Sequence, residues 1–192
     1  MKRILAAFVA ALALSAASAA RADGAAPAPA GAAAGAPEKK FLIGGEASLG
    51  LPIGDWANAN SIGIGLYVNG EYLFQPQITF TGRLGFNYHL SNNDLHSTVI
   101  PVMVGGRYYF TAATPHQGLF GFAELGFNDI MVTASYNGFS ASSSAIYLGL
   151  GAGAGYQMGP WTFKVGINAA DIGSFGSSLE ISAHASYQFY AF

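Results

Sequence analysis

The chain has 192 residues, enough for one domain or a small pair of domains. Only 9% of the residues are charged, whereas an ordinary soluble domain has about 25%. Hydrophobic residues make up 52% of the chain, yet no uninterrupted apolar run in its body reaches the ~20 residues of a membrane-spanning helix. The composition therefore disfavours both a soluble enzyme and a helical membrane protein.

The first 40 residues carry two segments that we exclude from the fold. A basic head, an apolar stretch and a small-residue stretch predict a secretory signal peptide at 1–22, with cleavage before Asp23. An uncleaved anchor helix is the alternative. Residues 24–37 are almost wholly Ala, Gly and Pro, so we predict a linker at 23–40. The absence of Cys excludes a lipidated Cys and disulfide bonds.

From residue 41 onward, hydrophobicity alternates with a period of two residues, which is typical of a strand with one apolar face. Phe41, Ile43 and Leu49 share one face of the first segment, and Glu46 and Ser48 share the other. Alternation of this kind occurs in eight segments, at 41–51, 62–74, 78–90, 100–110, 119–128, 146–157, 161–168 and 179–189. The intervals 91–97, 129–143 and 171–176 are predicted loops, and 111–118 is a longer turn.

Most of these segments are about as long as a tilted membrane-spanning strand. An open sheet edge in lipid would leave backbone groups unpaired at several kcal/mol each, so the sheet must close. The sequence therefore predicts an all-β fold, an eight-stranded antiparallel up-and-down transmembrane β-barrel over 41–192.

The charged residues of the predicted strands lie opposite the aliphatic face. A basic side chain facing lipid near the membrane midplane costs about 2–4 kcal/mol, and selection against that cost explains the partition. The interior of an eight-stranded barrel is just wide enough for side chains to fill it. We therefore predict a structural charge network that plugs the lumen, formed by Glu46, Glu71, Arg83, Arg107, Glu124, Lys164 and Glu180.

The remaining acidic residues distinguish the two ends of the barrel. Asp55, Asp94, Asp129 and Asp171 fall in alternate connections, whereas the other connections are uncharged and mostly short. Transmembrane barrels have long loops outside and short turns in the periplasm. We therefore expect both termini to be periplasmic, in a protein of the outer membrane.

Three stretches carry a resemblance to a known family. They are 100–110 (IPVMVGGRYYF), 119–126 (LFGFAELG) and the terminal Tyr190-Ala191-Phe192. The chain resembles the small outer-membrane β-barrel proteins of Gram-negative bacteria, the superfamily that includes OmpX and the membrane domain of OmpA. The resemblance implies contact with outer-membrane lipid and lipopolysaccharide, insertion by the barrel assembly machinery, and a monomer.

The resemblance also implies that Tyr190 and Phe192 are an assembly signal. The apolar residues of the last strand are odd-numbered, however, which places Phe192 out of phase with Tyr187 and Phe189. Either Tyr187–Gln188–Phe189 is the signal and a short extension follows, or the strand ends in a bulge.

Chemistry-bearing motifs are sparse, and we predict no catalytic residue, no metal site and no cofactor. Glu180, His184 and Ser186 share one strand face and resemble the site of lipid A deacylases, but their phase directs them into the lumen. The glycines of 149–155 lack the helix that a dinucleotide-binding loop requires. Three basic and eight acidic residues after position 40 argue against nucleic acid as a partner.

The sequence thus predicts a non-enzymatic protein of the outer membrane with a structural or surface-interaction role in the cell envelope. A narrow channel for small solutes, or a lipid-modifying barrel enzyme resembling the lipid A deacylases, is the alternative.

Overall fold

The computed structural model describes residues 40–91, 95–111, 115–136 and 139–192. The predicted signal peptide, nearly all of the predicted linker and Asp94 lie outside the described residues. The strands are β1 (Phe41–Pro52), β2 (Asn60–Gln75), β3 (Ile78–Ser91), β4 (Leu95–Tyr109), β5 (Gly118–Tyr136), β6 (Phe139–Met158), β7 (Trp161–Ala169) and β8 (Leu179–Ala191). A short helix, α1 (Trp56–Ala59), and a 3₁₀ helix, Ile172–Ser177, lie in the connections.

The eight strands form one closed ring in chain order, and every neighbouring pair is antiparallel. The predicted up-and-down barrel is therefore confirmed. Closure pairs β1 with β8, so no strand is left at an edge around the body of the barrel.

Side-chain burial is inverted relative to a water-soluble protein. In β2, the aliphatic side chains of Leu66 and Val68 are more than half exposed, whereas Asn69 and Glu71 are buried. An apolar exterior and a polar interior suit a barrel that is surrounded by lipid. Among the described residues, no helix has the length and hydrophobicity that a membrane span requires.

The two ends of the barrel differ in the connections they hold, and we call them the terminal rim and the loop rim. The terminal rim holds Lys40 and Phe192, together with the connections that follow β2, β4 and β6. The loop rim holds α1, the 3₁₀ helix and the connections that follow β3 and β5.

Two predicted loops are wrong, because the strands continue into them. β4 already begins at Leu95, and β5 and β6 pair without interruption up to Tyr136 and Phe139. Asp129, predicted in a loop, lies within β5 opposite Ile146. A hairpin satisfies its own backbone hydrogen bonds in water as well as in lipid, so the polar composition of 129–143 did not indicate where pairing ends.

The last strand contains a β-bulge. Ile43 of β1 pairs with Tyr190, but the next residue, Gly44, pairs with Gln188, so Phe189 is the extra residue. The bulge returns Tyr190 and Phe192 to the outer surface, where each is more than half exposed. Of the two sequence-based alternatives for this strand, the structure has the bulge.

Candidate functional site

Large side chains fit in the narrow lumen because glycines on neighbouring strands leave room for them. Tyr67 packs over Gly85, where a Cβ atom would collide with the Tyr67 ring and with the carbonyl oxygen of Leu66. Phe122 packs in the same way over Gly153, where a Cβ atom would come within 2.9 Å of its ring. Glycines of β3 and β6 thus provide the space that aromatic rings occupy in the lumen.

Four charged side chains form a closed ring across the lumen, which we call the charge ring. Glu46, Arg83, Glu124 and Lys164 come from β1, β3, β5 and β7, so alternate strands contribute and the sign of charge alternates. Arg83 contacts Glu46 through Nη1 at 3.2 Å and Glu124 through Nε at 2.8 Å. Lys164 Nζ lies 3.2 Å from Glu46 and 3.1 Å from Glu124.

Aromatic rings pack against both bases of the charge ring. The Arg83 guanidinium lies 4.9 Å from the centroid of the Tyr67 ring, and Lys164 Nζ lies 5.2 Å from that of Phe122. Each buried cation therefore contacts two carboxylates and the face of an aromatic ring. Two acids and two bases give the charge ring no formal net charge.

His184 also contacts the charge ring, and the sequence did not single it out as a member of the network. Its Nδ1 atom lies 2.9 Å from Glu46 Oε1, and its Nε2 atom lies 2.8 Å from the hydroxyl of Ser182. The strand phase predicted that His184 faces the lumen, but it did not predict the level of His184 along the barrel axis. The register between β7 and β8 pairs His184 with Lys164, and this pairing brings His184 to the level of the charge ring.

The other three predicted network residues lie above and below the charge ring. Arg107 pairs with Glu71 at 2.8 Å on the side of the terminal rim. Glu180 lies toward the loop rim, where it contacts His89 Nε2 at 2.6 Å and accepts a hydrogen bond from Asn87. The lumen thus contains one central ring and two separate pairs, rather than a single network of seven residues.

The turn between β4 and β5 folds against the lumen at the terminal rim. His116 Nδ1 lies 3.0 Å from the hydroxyl of Thr79, and the His116 ring meets the Tyr109 ring edge-on. At the opposite end, a cavity of about 50 Å³ lies between Trp56 and Arg83. Side chains therefore line both approaches to the charge ring.

The deacylase-like residues do not form a catalytic group. Glu180 contacts His89, and His184 contacts Glu46 and Ser182. Within the described part of the chain, no hydrogen bond joins Glu180, His184 and Ser186 to one another, and all three are buried in the lumen. The described ranges also contain no cluster of three or more His, Asp or Glu residues placed to hold a metal ion.

The predicted assembly residues lie at the seam between the first and last strands. The Phe192 ring stacks on Phe41 with a centroid distance of 5.6 Å, and Tyr190 packs against Phe192 at 5.4 Å. Backbone hydrogen bonds join the same two strand ends, with 3.0 Å between Phe192 N and Phe41 O.

Known proteins resemble this chain in structure rather than in sequence. No protein-family model matches the sequence, and no curated protein matches it. Solved structures do match. The N-terminal β-barrel domain of Pseudomonas aeruginosa OprF superposes with a TM-score of 0.59 at 12% identity, over 79% of this chain and 98% of that one.

Two further barrels give similar superpositions. Ail, the attachment invasion locus protein of Yersinia pestis, has a TM-score of 0.52 at 15% identity and covers 79% of this chain and 97% of its own. Neisserial surface protein A has a TM-score of 0.50 at 13% identity, with coverages of 78% and 97%. All three are eight-stranded barrels of the outer membrane. The chain therefore has the fold of the small outer-membrane β-barrels of Gram-negative bacteria, as its sequence resemblance implied.

Proposed function

We propose that this protein is an integral outer-membrane barrel with a plugged lumen, and that its role is structural or mediated by its surface. The charge ring carries this proposal. Its four members are bonded in sequence around the lumen, so the cross-section is occupied by side chains that hold one another in place. An ion would have to break buried ion pairs in order to pass.

The proposal is tested by conductance across a planar lipid bilayer. We expect the wild-type barrel to produce no sustained current. The double variant Arg83→Ser/Glu124→Ser removes one base and one acid, so it keeps the net charge but opens the ring, and we expect it to conduct. The shift in gel mobility between heated and unheated samples verifies that both barrels are folded.

A steady current through the wild-type barrel would contradict the plug and favour a narrow channel. The cavity below Trp56 would then be the start of that path. For the enzymatic alternative, expression of the protein should leave the mass profile of lipid A unchanged, because Glu180, His184 and Ser186 face away from lipid.

We further propose that the loop rim faces the outside of the cell, with both termini in the periplasm. Support comes from the extended β5–β6 hairpin and the acidic residues at that rim, and from the two-residue turns that follow β2 and β6 at the other. We also infer that Tyr190 and Phe192 are read by the barrel assembly machinery, because both are exposed at the end of the last strand. We propose that the protein is a monomer, because its eight strands already form a closed ring without a strand from a second subunit.

The exterior of the barrel is unsuited to polyanions. Ail has been crystallised in complex with the heparin analogue sucrose octasulfate. In this chain, the only basic residues after position 40 are Arg83, Arg107 and Lys164, and all three lie in the lumen. We therefore propose that the loop rim does not bind sulfated saccharides and that contact with lipopolysaccharide is made by apolar side chains.

A further inference from the structure

The cavity between Trp56 and Arg83 lies on the loop-rim side of the charge ring and takes no part in the plug. Its volume is about 50 Å³, and it is partly open. Asn87 and His89 of β3 and Glu180 of β8 form its polar wall, and the half-buried indole of Trp56 lies at its outer end. A cavity of this size has room for about three water molecules or for one small organic group.

The polar wall of the cavity contains two acceptor atoms without a partner. Glu180 Oε2 lies 3.4 Å from Asn87 Nδ2 and 2.6 Å from His89 Nε2. Because a carboxylate only accepts hydrogen bonds, both nitrogen atoms donate to it. Asn87 Oδ1 and, in the neutral ring, His89 Nδ1 are therefore acceptors, and neither has a hydrogen-bond partner among the described residues. Both side chains are buried, with exposed fractions of 5% for Asn87 and 1% for His89.

Two glycines leave the space that this polar wall occupies. Gly63 of β2 pairs with His89, and a Cβ atom at Gly63 would lie 2.8 Å from His89 Nε2 and 2.9 Å from Asn87 Oδ1. On β1, a Cβ atom at Gly50 would collide with the carboxylate of Glu180. A side chain at either position would therefore displace the polar groups from the arrangement that the structure shows.

The carboxylate in this wall lacks a basic partner. Among the described residues, Glu180 forms no ion pair with Lys or Arg, because the three basic residues of the lumen pair with other carboxylates. A buried carboxylate without a counter-charge is costly. With a neutral His89 ring, the wall thus has one net negative charge and two vacant acceptors.

Two further acidic residues flank the mouth of the cavity. Asp55 directly precedes Trp56 in sequence, and Asp171 directly follows Ala170, and both of these neighbours line the cavity. Asp55 is exposed, and its side chain forms no capping hydrogen bond to α1. No Lys or Arg of the described ranges lies in the connections of the loop rim. The mouth therefore attracts cations and repels anions.

We propose that this cavity binds one protonated amino group of a small aliphatic diamine. The Glu180 carboxylate, Asn87 Oδ1 and His89 Nδ1 are three acceptors, which matches the three N–H donors of a primary ammonium group. The Trp56 ring supplies an aromatic wall for the cation. The second ammonium group of the diamine would lie outside the cavity, at the acidic mouth.

This binding site adds a small-molecule ligand to the proposed surface role. It rests on the proposed outward orientation of the loop rim only for access from outside the cell. Because the charge ring lies below the cavity, the diamine would be held at the rim and would not pass through the barrel.

Other occupants of the cavity match its wall less well. Water can satisfy the vacant acceptors, but it brings no charge to balance Glu180. The described ranges contain no three His, Asp or Glu side chains placed to hold a metal ion. An anion would lie against a buried carboxylate and would be repelled.

The test is a titration of the folded barrel in nanodiscs of zwitterionic lipid at constant ionic strength. The chain has two tryptophans, so Trp161→Phe leaves Trp56 as the sole indole reporter. With putrescine, we expect a saturable change in Trp56 fluorescence and a matching calorimetric isotherm. Tetramethylammonium, a cation without N–H donors, and butanediol, which has no charge, should produce neither.

Two variants separate the cavity from the charge of the rim. Glu180→Gln removes the charge but keeps an acceptor for His89, and we expect the affinity for putrescine to fall about tenfold or more. Asp129→Asn is the matched control. It removes the same charge at the same end of the barrel, but Asp129 shares the outer face of β5 with the exposed Phe127, so the affinity should stay nearly unchanged.

The gel-mobility shift verifies that each variant is folded. If Glu180→Gln fails to fold, Asn87→Leu, which removes one acceptor at a similar side-chain volume, replaces it with the same expected loss of affinity.

Three results would overturn the proposal. They are the absence of saturable binding, an equal response to tetramethylammonium or butanediol, and undiminished affinity in Glu180→Gln. An equal loss in Asp129→Asn would also overturn it, because the attraction would then belong to the charge of the rim alone. None of these results changes the conductance experiment, so failure of the diamine site and failure of the plugged lumen are distinguishable.

Discussion

Gly85 shows how a single missing methyl group shapes the lumen. It lies on the inner face of β3 beneath the Tyr67 ring, and that ring in turn packs against Arg83 of the charge ring. A glycine at this site therefore positions a charged residue through an aromatic one. Gly82, on the same strand, differs in that a Cβ atom there would meet no atom closer than 3.9 Å.

We expect Gly85→Ala to destabilise the barrel and Gly82→Ala to leave its stability nearly unchanged. Overpacking of a well-packed interior costs about 1–3 kcal/mol, because the ring or the backbone must move. The free energy of unfolding, measured by urea titration in lipid vesicles, gives the comparison. Equal stability of the two variants would show that Tyr67 relaxes without loss and that the close packing has no energetic role.

The bulge in β8 allows one strand to keep its aliphatic residues outward and also to present aromatic residues at its end. The strand must place its aliphatic residues outward along the membrane, and it must also present aromatic residues at its end. One extra residue, Phe189, changes the phase between these two parts. The terminal residues then stack beside Phe41 instead of entering the lumen.

Phe192→Ala should slow assembly of the barrel in cells, whereas Phe189→Ala should not. Both rings are exposed, so the pair is matched in apolar area, but only Phe192 pairs with β1 at the seam. The measurement is the fraction of heat-modifiable protein at successive times after a pulse of synthesis. Faster assembly of the Phe192 variant than of the Phe189 variant would assign the signal to Tyr187–Gln188–Phe189.

At the level of elements, the sequence predicted all eight strands because lipid imposes a strict alternation on them. Alternation no longer predicts the strand where β5 and β6 extend beyond the apolar part of the barrel, because side chains on both faces of that part of β6 are exposed and no buried face selects residues of one type. The contacts within the charge ring could likewise not be predicted from the sequence. Strand phase assigned Glu46 and Lys164 to the lumen, but only the register between strands brings them to the same height.

At the scale of the whole molecule, charge is sorted by location. The three Lys and Arg residues after position 40 are inside, where acidic residues neutralise them, and the charged residues described at the loop rim are all acidic. The field outside the lumen is therefore negative at the loop rim. The field repels anions and attracts cations, with a range of about 8 Å at physiological ionic strength.

We expect the purified barrel carrying Lys39→Ser and Lys40→Ser, in which Arg83, Arg107 and Lys164 are the only Lys and Arg residues after the predicted signal peptide, to pass through a heparin column at physiological salt without retention. A variant with Asp55→Lys and Asp171→Lys, which alters only residues at the loop rim, should be retained because it places cations where the polyanion can reach them. Elution with increasing salt measures the effect. Retention of the barrel that lacks Lys39 and Lys40 but keeps Asp55 and Asp171 would mean that buried bases become accessible in solution.

The seam between β1 and β8 determines the order in which the barrel can form. The backbone bonds between Phe41 and Phe192 join positions at opposite ends of the barrel sequence, whereas every other strand pair is local. Contacts of such high sequence separation form late, because the entropy of closing the intervening chain must be overcome first. Until then, both terminal strands expose unpaired backbone groups. Closure is thus the step at which a folding intermediate needs protection from lipid and from other chains.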